Sequence, residues 1–159
     1  AGSVNAALAD TIAQTRWTSD ASPCPGSCWY QIPINPNYYP STQSPLQRYF
    51  SAGAGTLVRV VISWWSYANA DEGSYPVGID QLITNLNLEV RDPDGQAVEG
   101  GYSASWDNNY EMVHFIAPKT GTYTIRVLRE PTGYDEDNVL GIGVARVYRT
   151  MLPTVLRGN

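Results

Sequence analysis

Oxygen-bearing side chains are the part of this sequence best equipped for chemistry. In "ITNLNLEVRDPDG" (83–95), Asn85, Asn87, Asp92 and Asp94 recur at short intervals. Such residues either ligate a hard cation or form the polar face of a strand and its closing turn. Two longer stretches are acidic. "SYANADEGSYPVGIDQL" (66–82) holds Asp71, Glu72 and Asp80, and "REPTGYDEDN" (129–138) holds Glu130, Asp135, Glu136 and Asp137. Calcium takes about six to eight oxygens from carboxylates, amides and carbonyls, so the clustering suits it. A solvated turn is the plainer reading of any one such loop.

Proton transfer and nucleophilic attack have less to work with. The single histidine, His114, lies in "MVHFI" between Val113 and Phe115, which sets it on one face of a strand. A Ser-His-Asp hydrolase needs that histidine as base beside a nucleophile. No G-x-S-x-G elbow, Cys-His pair, glycine-rich phosphate loop or histidine cluster accompanies it. Carboxylates that could serve a glycosidase fall in turns and loops. By itself the chain reads as non-enzymatic. Cys24 and Cys28 stand in "CPGSC". A zinc site needs four ligands and His114 is remote, so a short-loop disulfide is the better reading, with an oxidising, secreted setting.

Composition bounds the partners. A chain of 159 residues fits one domain with a real core. Fifteen acidic against ten basic residues give a net charge of −5, which repels phosphate backbones and makes nucleic acid a poor partner. No apolar run approaches the roughly 20 residues of a membrane span; the longest, "LVRVVISWW" (57–65), is broken by Arg59 and Ser63. Eleven Tyr, five Trp, fourteen Gly and eleven Pro suit a β-rich, loop-rich protein. No signal peptide is visible and the chain starts at Ala1, as expected of a processed or excised piece of a longer protein.

Periodicity indicates the helix and strands that carry these groups. Val4, Ala7, Leu8 and Ile12 share one face of a helix expected at 3–14, with Ser3 able to cap it. The proline-rich segment 18–45 has no long period, but Trp29, Tyr30, Ile32, Ile34, Tyr38 and Tyr39 are too apolar for a free tether. It is expected as a connector packed on a sandwich. From Leu46 the period becomes two. Val58, Val60, Ile62 and Trp64 share a face, as do Leu86, Leu88 and Val90, with Asn87 and Glu89 expected on the outward side. Turn signals at Asp94-Gly95, Asp107-Asn108-Asn109, Lys119-Thr120-Gly121 and Thr132-Gly133 separate short strands, giving a sandwich or barrel. The expected organisation is a terminal helix at 1–17, the connector at 18–45, a β-sandwich at 46–150 and a tail at 151–159.

The stretch from Gln47 to Tyr148 resembles the β-sandwich module found after the catalytic domain in many secreted subtilisin-like serine proteases. Three pieces carry the resemblance in order: "RVVISWWS" (59–66), "ITNLNLEVRDPDG" (83–95) and "DNNYEMVHFIAPKTGTYTIRV" (107–127). "AGSVNAALA" (1–9) is similar to the closing helix of a subtilase catalytic domain. The resemblance implies an all-β, antiparallel jelly roll of about eight strands, related to the P domains of kexin-like convertases. It implies a non-catalytic role in stabilising or docking on the catalytic domain, and sometimes calcium. The family's two aspartates fall here on Asn85 and Asn87, which bring no charge. Asp107, Asn108, Asn109 and Glu111 match the family segment, and Asp80 could approach them, so the implied calcium ligands are Asp80, Asn85, Asp107, Asn108, Asn109 and Glu111.

A rival reading is a binding module for carbohydrate or a cell-surface polymer. Trp64, Trp65, Tyr67, Tyr75, Tyr102, Trp106 and Tyr110 supply aromatic rings, and jelly rolls serve as lectin scaffolds. Exposed rings would favour that reading. Buried rings, with an apolar patch near residues 1–45, would favour docking.

Overall fold

The computed structural model describes residues 12, 14–20, 22–34, 44–65, 82, 84–130 and 138–147. The expected helix at 3–14 lies almost wholly outside them, as does the tail. Eight strands form: β1 (Cys28–Ile34), β2 (Leu46–Ala52), β3 (Leu57–Trp64), β4 (Leu86–Arg91), β5 (Ala97–Ser103), β6 (Tyr110–Ile116), β7 (Gly121–Arg129) and β8 (Asn138–Val147). They make two four-stranded sheets, ordered β1-β8-β3-β6 and β2-β7-β4-β5, with every neighbouring pair whose register is resolved antiparallel. Pairing 1 with 8, 2 with 7, 3 with 6 and 4 with 5 is what one long hairpin gives when wrapped on itself, the jelly-roll arrangement. Its tip is the Asp92–Gln96 turn. No helix among the described residues is long and apolar enough to cross a membrane.

Alternation drives the strands together. Val58, Val60, Ile62 and Trp64 of β3 are buried, as are Leu86, Leu88 and Val90 of β4, Tyr123, Ile125 and Val127 of β7, and Leu140, Ile142 and Val144 of β8. Each such side chain contributes about 1.5–3 kcal/mol on leaving water. Phe50 and Tyr123 stack at 5.3 Å between ring centroids. A one-residue slip of any strand would turn its apolar set outward, so the register is strongly specified.

Residues 28–34 depart from the connector expected there: they form β1, paired along its length with β8. Cys28, Tyr30, Ile32 and Ile34 point inward in strict alternation. Pro33 removes one N–H, which an edge strand tolerates. The Cys24–Cys28 disulfide forms, with both cysteines fully buried. Cys24 also exchanges backbone hydrogen bonds with β2, donating to Tyr49 O at 2.9 Å and accepting from Ser51 N at 3.0 Å. The bridge therefore ties the first sheet to the second.

Connections differ by end. Ala52 to Leu57, Arg91 to Ala97 and Ile116 to Gly121 are short turns at one end. At the other lie the connections from Ile34 to Leu46, Trp64 to Leu86, Ser103 to Tyr110 and Arg129 to Asn138.

Candidate cation site at the long-loop end

The site is built on Trp64, the last residue of β3. Its indole is buried and donates Nε1–H to Thr84 O at 2.8 Å. Its backbone N–H donates to Asn109 O at 3.1 Å, and its carbonyl accepts Asn109 Nδ2–H at 3.1 Å. Trp64 thus holds the start of β4 and the start of β6 against the end of β3. The next residue after Thr84 is Asn85, whose carbonyl accepts the Glu130 N–H at 3.0 Å.

Asn85 and Asn87, two residues apart, lie on the same side of β4. They are only 2% and 3% exposed. Asn87 Nδ2 donates to Glu130 Oε1 at 2.6 Å and to the Tyr102 hydroxyl at 3.3 Å. The Oδ1 atoms of both asparagines are buried with no hydrogen-bond partner among the described residues. An unpaired buried acceptor costs about 1–3 kcal/mol. Native interiors pair nearly all such groups, so these two, with the Glu130 carboxylate on the Asn87 amide, nominate a candidate cation site.

Asn87 is expected on the outward side of its strand, and its burial there has a physical cause. Alternation does set it on the outer side of the second sheet. But β4 is an interior strand between β7 and β5, and Glu130 and Tyr102 bond to the Asn87 amide from those two flanks. Glu89, its outward neighbour, is partly buried and ion-paired with Arg126 and Arg91.

The remaining expected ligands divide. Glu111 points inward from β6 and is 2% exposed. Its carboxylate accepts the Ser105 N–H at 2.6 Å and the Ser103 hydroxyl, locking the connection that joins the two sheets. Asn109 is committed to Trp64. Asp107 and Asn108 are exposed, the first donating its N–H and the second its Nδ2–H to Ser105 Oγ, at 3.3 and 3.1 Å. Asp80, with Asp71, Glu72 and Asp135 to Asp137, lies outside the described residues. Glu130, legible in the sequence only as one member of an acidic loop, is the carboxylate brought to the asparagines.

Among the described residues no three His, Cys, Asp or Glu side chains gather where a metal could be held. A cation here would therefore rest chiefly on neutral oxygens. Asn85 Oδ1, Asn87 Oδ1 and the Glu130 carboxylate are oxygen donors of the kind calcium takes, about six to eight at a time. With one charge in the set, affinity falls toward the weak end of the calcium range.

Asp92 and Asp94, the two aspartates of the opening stretch, do form a turn. Asp92 Oδ1 accepts the N–H groups of Asp94 and Gln96, each at 2.9 Å. Lys119 Nζ reaches Asp92 Oδ2 at 2.9 Å and also pairs with Asp94. The hydrogen bond from Lys119, helped by the Gln96 N–H, holds the Asp92 carboxyl below its ordinary range. The hydrogen bonds to Asp94 and then Asp92 raise the Lys119 ammonium above its own.

Of the aromatic rings, Trp64 is buried, whereas Trp65, Tyr102, Trp106 and Tyr110 are exposed. Tyr67 and Tyr75 lie outside the described residues. His114 stands exposed on β6, in register with Arg59 of β3. No family model matches the chain, and no curated protein matches it either.

Proposed function

We propose that the chain is a non-catalytic accessory β-sandwich of a secreted subtilisin-like serine protease, stabilising the catalytic domain of the same polypeptide and taking calcium at Asn85, Asn87 and Glu130. The observation that carries this reading is where the resembling stretches fall. They become β3, β4 with its turn, and β6 with β7. β3 and β6 are neighbours in one sheet, and β4 and β7 in the other. The pieces therefore form one contiguous block through the core rather than scattered fragments. The two positions that stand where the family has aspartates are also the two with buried, unpaired acceptors.

The mechanism is thermodynamic. A domain that binds only the native form of its neighbour stabilises it, and a tether makes that binding intramolecular at a high effective concentration. Calcium, when bound, supplies positive charge at the Glu130 carboxylate and a partner for each amide oxygen, fixing the start of β4 against the end of β7. His114, exposed beside Arg59, serves no proton transfer in this reading. The test is the longer polypeptide. A subtilisin-like catalytic domain encoded upstream, whose half-life at elevated temperature shortens when residues 18–159 are deleted, supports the proposal. An unrelated upstream sequence, or an unchanged half-life, sinks it. The isolated chain should cleave neither casein nor activated esters; activity lost in His114→Ala would reverse the non-catalytic reading.

Carbohydrate binding is the second reading, favoured by the exposure of Trp65, Tyr102, Trp106 and Tyr110. Retention on an insoluble polysaccharide that is lost in Trp106→Ala would promote it above the first.

A further inference from the structure

We infer that the outer face of the first sheet, β1-β8-β3-β6, is the surface on which the neighbouring domain of the same polypeptide docks; this rests on the reading above that such a domain exists. Among the described residues, six of the eight exposed large apolar side chains belong to this face: Val61, Trp65 directly after β3, Tyr110, Met112, Ile116 and Val139. The register sets them side by side. Val61 stands opposite Met112 on one flank and Gly143 on the other, and Ser63 opposite Tyr110 and Gly141. Val61 leans over Gly143, so that an added Cβ there would stand 3.0 Å from Val61 Cγ1. Arg59 and His114, adjacent in register, Tyr110 and, over Trp29 at the β1 edge, Arg16 are the charged or titratable groups of the face among its described residues, and none is a carboxylate. The outer face of the second sheet is the opposite case, crossed by the ion pairs of Glu89 with Arg126 and Arg91.

Three considerations select the occupant. The first is charge. On a chain of net charge −5, an acid-free apolar face suits an uncharged, apolar protein surface. The second is size. Four strands about 4.8 Å apart and about eight residues long give a flat face of roughly 500 Å². That is below the ~800 Å² per partner of a stable free complex, yet roughly 1,000 Å² over both partners is ordinary between domains of one chain. A tether makes such an area sufficient. The third is delivery. Residues 15–17 run along the free edge of β1: Trp17 N–H donates to Trp29 O at 2.8 Å and Trp29 N–H to Thr15 O at 3.1 Å. The Arg16 guanidinium lies 5.4 Å from the centroid of the Trp29 ring. The described N-terminal segment therefore joins the sandwich at the edge of this sheet, not of the polar one.

Oxidative footprinting tests the assignment, because Met, Trp and Tyr are the readily oxidised side chains. Met112, Tyr110 and Trp65 should be protected several-fold in the full polypeptide relative to the isolated chain, while Tyr102 and Trp106 oxidise equally in both. The double variant Val61→Lys, Met112→Glu, an opposite-charge pair directly across the ladder, should abolish protection at Tyr110 in the full polypeptide and leave the melting temperature of the isolated chain nearly unchanged. Equal oxidation of Met112 and Tyr110 in the two forms would overturn the inference. So would an isolated chain that is dimeric by light scattering and made monomeric by the double variant, since the occupant would then be a second copy. Protection of Met112 in the isolated chain by added polysaccharide would overturn it as well. If protection holds but the upstream domain is not a subtilisin-like protease, the docking face stands and the proposed function fails. If the protease is present without protection, the reverse is true.

Discussion

The two ends of the sandwich handle their polar groups in opposite ways. In the Asp92 and Lys119 turns of the short-turn end the hydrogen bonds close on themselves. Asp92 gathers two N–H groups and Lys119. Tyr123, buried beneath, donates its hydroxyl to Lys119 O at 2.7 Å and accepts the Lys119 N–H at 3.2 Å. Gly55 takes the left-handed conformation, φ 82°, that its turn requires. A side chain at Gly121 would stand 2.7 Å from Pro93 Cγ, so the two turns fit without room to spare. At the long-loop end, Trp64 and Glu111 clamp the strands equally well, but Asn85 and Asn87 keep buried acceptors open. Closed turns serve folding. An end that leaves polar atoms unmatched retains a cost that a ligand can remove.

The sharpest way to break this contrast is to remove Trp64. Trp64→Ala opens a cavity and frees Thr84 O, costing about 3–5 kcal/mol, a large share of the total stability of about 5–15 kcal/mol expected of a domain. Urea unfolding should show a greatly lowered midpoint or no folded baseline. Trp64→Phe keeps most of the volume but removes the hydrogen bond to Thr84 O, at about 1–3 kcal/mol. Glu111→Ala strips two partners from the Ser103–Ser105 segment and should cost a comparable 1–3 kcal/mol or so, read as a shift in urea midpoint at unchanged slope. Cutting the Cys24–Cys28 bridge by the double alanine variant should cost about 2 kcal/mol or less, because so small a ring removes little entropy from the unfolded chain. Alkylation of the unreduced wild type should label neither cysteine.

The smallest effect belongs to the half-exposed Lys119 cluster, and pH separates its parts. The Asp92 carboxyl is depressed in the fold, so its contribution is present above the ordinary carboxylate range and lost as pH falls through the lowered value. Asp92→Asn should melt lower than wild type at neutral pH and converge with it in acid. Lys119 is raised, so its contribution is complete below its ordinary range and lost only as pH rises through the higher folded value. Lys119→Met should therefore fall short of wild type at neutral pH and draw level only in strong alkali. An Asp92→Asn deficit that persists unchanged into acid would show that the turn does not depend on the carboxylate charge.

Much of the fold was legible because period-two burial is a local signal. β3 and β4 lie where alternation placed them, β5, β6 and β7 lie between the expected turns, and β8 follows the last of those turns. β1 was not, since Pro33 and the prolines flanking the strand in the sequence mask the inward run Cys28, Tyr30, Ile32, Ile34. The site was legible only in part. Asn85 could be nominated from its residue type, but the burial of Asn87 depends on Tyr102 and Glu130, 15 and 43 residues away in the chain. No local pattern reports such distances. Glu111, nominated by its residue type, is turned inward by its strand and clamps the Ser103–Ser105 segment, a role no local pattern announces. The apolar outer face did leave a trace. In "LVRVVISWW" Val61 and Trp65 interrupt the alternation, and a strand apolar on both faces signals cover on both.

The most direct measurement is a thermal melt of wild type and Asn85→Leu in chelator, in calcium and in magnesium at matched ionic strength. A site with a dissociation constant on the order of 10⁻⁴ M adds roughly 1–2 kcal/mol at millimolar calcium, hence several degrees for wild type. Asn85→Leu replaces an unpaired acceptor with an apolar group of similar size, so it should melt higher than wild type in chelator and show no calcium shift. Asp107→Ala, altering an exposed residue outside the Asn85, Asn87 and Glu130 set, should keep the shift. Equal melting of wild type in all three solutions, or a calcium shift that survives Asn85→Leu, would contradict a cation site at the long-loop end.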